Sequence, residues 1–132
     1  MISYVTGSTD KNKRLVYHVI EHCYNELIPE YDTDIYIELT IPDDNLNGWC
    51  EYDGENFEIE IKESLSREEL IKTVAHEMVH VKQYLTGELV EERCKRIWKG
   101  VDHTDDTHFN YPWEIEAYKL EEILYKSFEE MI

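Results

Sequence analysis

From Arg67 onward, apolar residues recur at three- and four-residue spacing: Leu70, Ile71, Val74, Ala75, Met78, Val81 and Leu85. That spacing draws one broad apolar face on a helix, of the width a buried helix carries. Ser66 and Glu69 have the form of a capping box, which satisfies two backbone donors at a helix start, and Gly87 after Thr86 is a natural stop. A second helix follows from Leu15, Val16, Val19, Ile20, Cys23 and Leu27, capped at Ser8-Thr9-Asp10 and ended before Pro29. A third carries Trp113, Ala117, Leu120, Leu124, Phe128 and Met131, with Pro112 in its first turn and Asn110 as its cap. Between the first two stripes along the chain the period drops to two. Over 34–41, Ile35, Ile37, Leu39 and Ile41 alternate with Asp34, Tyr36, Glu38 and Thr40, the signature of a half-buried strand. Trp49 to Tyr52 and Phe57 to Ile61 read as two further strands, joined through Asp53-Gly54 as a hairpin. The order predicts an α+β domain: an N-terminal helix, a small three-stranded, mainly antiparallel sheet, a central helix and a C-terminal helix.

Length and charge narrow the classes. The 132 residues suit one domain spanning 1–132. A formal net charge of −17 argues against a nucleic-acid groove, which needs clustered Lys and Arg. The one basic cluster, Arg93-Cys94-Lys95-Arg96 with Lys99, sits among acids and reads as charge pairing on a helix. No apolar run is long enough for a membrane and the first residues lack signal-peptide character, so a soluble, cytoplasmic protein is expected. Cys23, Cys50 and Cys94 are odd in number and widely spaced, which fits reduced thiols read as small buried hydrophobes. His18 and His22 fall on the side of their helix away from the apolar stripe and read as surface histidines. Asp102, His103, Asp105, Asp106 and His108 show no regular ligand spacing and read as part of a solvated loop over 101–111.

The chemistry is carried by His76-Glu77-Met78-Val79-His80 on the central helix. At 3.6 residues per turn the two imidazoles stack one turn apart and can take two corners of one tetrahedral zinc ion. Glu77, about 100° round the same turn, can reach a water on that ion and is the general-base candidate. A catalytic site needs a third protein ligand. One subclass of such sites places glycine three residues and histidine six residues past the second histidine; Gln83 and Thr86 stand there, which excludes it. The alternative is a glutamate from the C-terminal helix. Glu114 and Glu116 flank that helix's apolar stripe at similar angles, and periodicity does not choose between them.

The motif His76 to His80 followed by Gln83, then Glu114-x-Glu116-Ala117 opening a later helix, resembles the compact gluzincin-type metallopeptidases, including minigluzincins and ImmA/IrrE-like domains. The likeness covers about residues 66–128. It implies a minimal zincin-like fold, Zn²⁺ held by His76, His80 and Glu114, and Ala117 as the small residue that lets two helices approach. One position departs: four residues after the ligand glutamate, where many relatives carry Asp or Asn against a histidine, this chain has Tyr118. By the same resemblance the strand at 57–61 borders the cleft and pairs with an extended substrate. The expected function is a zinc-dependent metallopeptidase acting on a peptide or protein, with Glu77 as base and His108, Tyr111 or Tyr118 as transition-state donor. The competing reading is a zincin-fold binding or regulatory module without turnover, or a latent enzyme occluded by the acidic C-terminal end or the 101–111 loop. Cleavage preference and oligomeric state have no motif.

Overall fold

The computed structural model describes residues 1–41, 46–104 and 111–132. Ten elements follow in order: β1 (Ile2–Thr6), α1 (Asp10–Leu27), β2 (Asp34–Thr40), β3 (Gly48–Tyr52), β4 (Asn56–Lys62), α2 (Arg67–Leu85), β5 (Leu89–Glu92), β6 (Lys95–Trp98), β7 (Val101–Asp102) and α3 (Pro112–Met131). The α+β class holds, with three helices and two sheets.

The main sheet has four strands in the order β1-β2-β4-β3. This corrects the expected three-stranded, mainly antiparallel sheet. β1 pairs parallel to β2 and β2 parallel to β4; only β3 and β4 run antiparallel. The cause lies in the connections. Helix α1 is a crossover long enough to return the chain parallel to β1. The hairpin then places its second strand beside β2 and its first strand outside, which makes β3 an edge. The hairpin turn closes on Asp53, whose carboxylate accepts from the amides of Glu55 at 2.8 Å and Asn56 at 2.7 Å.

One face of this sheet is apolar. Ile35, Ile37, Leu39, Phe57, Ile59 and Ile61 are buried against Val16, Val19, Ile20 and Cys23 of α1 and against α2. Ile41, assigned to the same stripe, lies past the strand end and is exposed. α2 is enclosed: it packs on α1, on β3 and β4, and on α3 through Ala117, Leu124 and Phe128. Its start is the expected capping box, with Glu69 N donating to Ser66 Oγ (3.2 Å) and Ser66 N to the Glu69 carboxylate (3.3 Å). Its end is Thr86, followed by Gly87 at φ +78°. The cap of α3 is Tyr111, and Asn110 lies outside the described residues.

Two features depart from the sequence reading. His22 is buried, donating or accepting at 2.7 Å with Ser127 and lying edge-on to Phe128, so it joins α1 to α3 rather than facing solvent; His18 is exposed as expected. Residues 89–102 form an antiparallel three-stranded meander, not a charged helix and loop. Its turns place Arg93 and Cys94 at φ 48° and 67°, and Lys99 and Gly100 at 47° and 84°, the left-handed pairs that two-residue hairpins require. Cys94 is therefore exposed, Cys50 is half-buried, and Cys23 alone is fully buried; none is in a disulfide. The meander seats on α3 through a small apolar cluster of Leu89, Trp98 and Trp113. Among the described residues no helix is long and apolar enough to cross a membrane.

Candidate metal centre

His76 and His80 occupy the middle of α2 on the side facing α3, each with a side chain 12% exposed. Together with Glu77 they bring one ligand atom each within 4.8 Å of one another, a group that could hold a metal ion. Glu114, in the first turn of α3, completes the convergence: its Oε1 lies 2.6 Å from His80 Nε2 and 3.5 Å from His76 Nε2. The other glutamate turns elsewhere. Glu116 Oε1 accepts from Lys82 Nζ at 2.8 Å and from Gln83 Nε2 at 3.3 Å, and it does not line the cleft. Physical contacts thus separate two residues that periodicity left equivalent.

Both imidazoles are oriented by a partner on the far ring nitrogen. His76 Nδ1 donates to Glu121 at 3.0 Å, and His80 Nδ1 donates to Gln83 Oε1 at 2.8 Å. The direction of the second bond follows from the amide. Gln83 is fully buried, and its Nε2 faces two acceptors, the Trp113 carbonyl at 2.9 Å and the Glu116 carboxylate. Its oxygen must therefore face His80, which puts a proton on Nδ1 and turns Nε2 towards Glu114, to which it donates at 2.6 Å in the metal-free protein. Such outer contacts fix tautomer and ring angle in metal sites. Glu121 fills the role that the absent Asp or Asn at position 118 left open. It sits seven residues after Glu114, two turns along the same helix face.

The donor set fits a tetrahedral ion. Bonds of about 2.0–2.1 Å place neighbouring ligand atoms about 3.3 Å apart. The His76–Glu114 separation is already near that value, and the His80–Glu114 hydrogen bond needs to lengthen by less than about 1 Å, within the reach of one carboxylate torsion.

Electrostatics tie the group together. Burial lowers the His76 pKa, but hydrogen bonds to Glu114 and Glu121 overcome it and carry the imidazole up to about 10. His80 is raised in the same way, against burial, by Glu114, Glu77 and Gln83. Burial opposes ionisation of Glu114 too, yet the two imidazoles hold its pKa well below the usual carboxylate range. Glu77 moves the other way. It is 4% exposed, and desolvation raises its pKa against the pull of His80 and His76. Two carboxylates in one site are thereby pushed in opposite directions, Glu114 down by the imidazoles and Glu77 up by burial.

The group forms the floor of a cleft of about 480 Å³, walled by Gly48, Trp49 and Cys50 of β3 on one side and by Leu89, Trp113 and Tyr118 on the other. The strand at 57–61 does not border it. β4 is paired on both sides, and the strand with a free edge at the cleft is β3. Of the three donor candidates, Tyr118 lines the cleft with its ring 4.7 Å from that of His76. Tyr111 stacks flat on Trp113 at 4.6 Å, and His108 lies outside the described residues. His103 packs edge-on to Trp113 and Asp102 accepts from Thr104, while Asp105 and Asp106 also fall outside the described residues. The acidic C-terminal end is placed away from the cleft, with Glu129 paired to Arg67 at the start of α2. In the sequence Gln83 stands as a motif position with no role assigned, and Glu121 is not singled out; the one available signal for both is spacing, three past His80 and seven past Glu114.

No family model, no curated protein and no solved structure matches the chain.

Proposed function

We propose that this protein is a zinc-dependent metallopeptidase. The observation that carries the reading is the convergence of two half-buried imidazoles, through Nε2, and the Glu114 carboxylate beneath an open cleft, with Glu77 buried beside them. His76, His80 and Glu114 are the ligands, and two imidazoles with one carboxylate suit zinc better than the harder divalent ions. Zinc, when bound, lowers the pKa of its water towards about 7 and polarises the scissile carbonyl.

The chain's own residues supply the rest. Glu77, its pKa raised by burial, takes a proton from the attacking water and passes it to the leaving amine. Tyr118 donates a hydrogen bond to the substrate's carbonyl oxygen as negative charge develops there. The free edge of β3 pairs with the substrate backbone in extended form, which lays the peptide along the cleft. An outer-shell contact on each histidine and a buried glutamate beside the ligands favour turnover over a structural site, which closes with a fourth protein ligand.

Elemental analysis of protein purified without added metal, followed by digestion of a mixed peptide library, tests the proposal. About one zinc per chain, lost in His80→Ala, and cleavage lost in Glu77→Gln while zinc is retained, are the expected results. Zinc retained by wild type with no cleavage of any peptide would favour the regulatory module. No zinc binding at all would overturn the metallopeptidase and leave an acidic α+β binding domain.

A further inference from the structure

The main sheet has a second face, turned away from the helices, that no element covers among the described residues. Strand register sets its side chains in two rows: Tyr4, Tyr36, Glu58 and Glu51 in one, and Thr6, Glu38, Glu60 and Trp49 in the next. Tyr4 and Tyr36 stack at 4.9 Å with rings 6° from parallel, and both remain 40% exposed or more. Beside them runs a groove of about 280 Å³, lined by Tyr4, Tyr36, Glu38, Trp49, Glu58 and Glu60. The aromatic lining makes this a surface for contact rather than a solvated face of charges alone.

The charges on it are unbalanced. Glu38 lies directly opposite Glu60, and Glu58 directly opposite Glu51, an arrangement that costs stability because like charges face each other. Among the described residues no ion pair joins Glu38, Glu51, Glu58 or Glu60 to a lysine or arginine. The stretches 42–45 and 105–110 contain neither lysine nor arginine. Among the described residues, the side-chain hydrogen bond that reaches these four carboxylates comes from the Trp49 indole, which donates to Glu60 at 2.6 Å. Exposed aromatic faces flanked by carboxylates are the complement of a cation on an apolar stem: ring faces attract the ammonium or guanidinium, and carboxylates accept its hydrogen bonds.

We propose that this face binds a lysine- or arginine-bearing extended segment of a partner polypeptide. The stacked tyrosines and Trp49 take the side-chain stems, and Glu38, Glu51 and Glu58 take the cationic heads. A second copy of this chain is the wrong occupant, since it carries the same −17 charge. Trp49 lines both this groove and the cleft over the metal group, so the two surfaces meet at the edge strand β3. The inference stands on the sheet face and does not require the cleft to be catalytic.

The test uses a fluorescent peptide of alternating glycine and arginine, titrated against the full chain at about 0.15 M salt, where diffuse attraction between exposed charges is largely screened. Glu38→Gln, Glu51→Gln and Glu58→Gln are combined in one variant. The control variant removes the same charge from other exposed positions, Glu21→Gln, Glu26→Gln and Glu130→Gln. Binding should fall about tenfold or more in the first and little in the second, in line with loss of specific rather than diffuse contacts. Amide and indole NMR shifts should concentrate on Tyr4, Tyr36 and Trp49. Equal losses in the two variants, shifts centred elsewhere, no binding by wild type, or a dimer that forms through this face without peptide would each overturn the proposal.

Discussion

Glu121 accepts a hydrogen bond from Nδ1 of His76 at 3.0 Å, across the interface of α2 and α3, while Nε2 of the same ring faces Glu114. One helix face of α3 therefore holds His76 at both nitrogens, through carboxylates two turns apart. Removing Glu121 should free the ring and reduce its basicity. Zinc affinity is expected to fall about 10- to 100-fold in Glu121→Ala, the usual effect of losing such a partner, with Glu121→Gln intermediate because its amide oxygen still accepts. Competition with a chromophoric chelator measures this directly. An unchanged affinity in Glu121→Ala would mean that helix packing alone sets the ring.

Gln83 does more than orient His80. Its amide spans the two helices, accepting from His80 and donating to the Trp113 carbonyl and Glu116, with no exposed surface. Gln83→Leu keeps the volume but strands buried donors and acceptors on both helices, at about 1–3 kcal/mol for each unsatisfied group. The expected outcome is a loss of about 2–4 kcal/mol in metal-free stability by urea unfolding. A variant as stable as wild type would show that water or a shifted side chain takes over these bonds.

The parts of this molecule that were legible in the sequence are those written in local periodicity. The three apolar stripes gave α1, α2 and α3 nearly to the residue, because each face is decided by contacts with one buried layer. Sheet order was not legible. β1 is a five-residue strand whose partner, β2, lies beyond an intervening helix, and pairing at that distance leaves no local trace. The meander was misread because its first turn places Arg93 and Cys94 in the left-handed region, where turn preferences would put Asn or Gly. The local sequence there argues for helix, and tertiary packing of Leu89 and Trp98 on Trp113 overrides it. His76, Glu77 and His80 were legible as a motif because the helix itself sets their spacing. Glu114 against Glu116 was decided by which one Lys82 and Gln83 engage, a contact between elements 30 residues or more apart.

Gly48 fixes how closely the edge strand approaches α2. A Cβ at that position would lie 2.9 Å from Thr73 Cγ2 and 3.0 Å from both the Glu60 carbonyl oxygen and Ile61 Cδ1. Its backbone is not in the left-handed region, so contact, not conformation, demands glycine. Gly48→Ala should push β3 from α2 and widen the cleft wall at Trp49 and Cys50, at a cost of about 1–3 kcal/mol. Under the proposed function, peptide cleavage should lose more in KM than in kcat, because the strand that aligns substrate moves while His76, Glu77 and His80 stay in place. A selective fall in kcat would place the effect on Thr73 and α2 instead.

Zinc binding should release protons, and the charge state of the metal-free site gives the sign. His76 has a folded pKa of about 10, so its contribution to metal-free stability is complete below the unfolded value near 6.5 and is lost as pH rises through about 10. Glu114, with a depressed pKa, contributes above its unfolded value near 4.5 and loses that contribution as pH falls. At neutral pH the protonated histidine and its carboxylates hold one another, and a metal must displace at least the His76 proton before Nε2 can bind it. Apparent zinc affinity should therefore rise with pH between about 6.5 and 8, by roughly tenfold per unit for each proton released. Calorimetric titrations in buffers of different ionisation enthalpy should count at least one proton per zinc at neutral pH. His76→Ala should remove at least one such proton along with most of the affinity. A pH-independent affinity with no proton release would mean that both imidazoles are already neutral in the metal-free protein, and that Glu114 is not held by them.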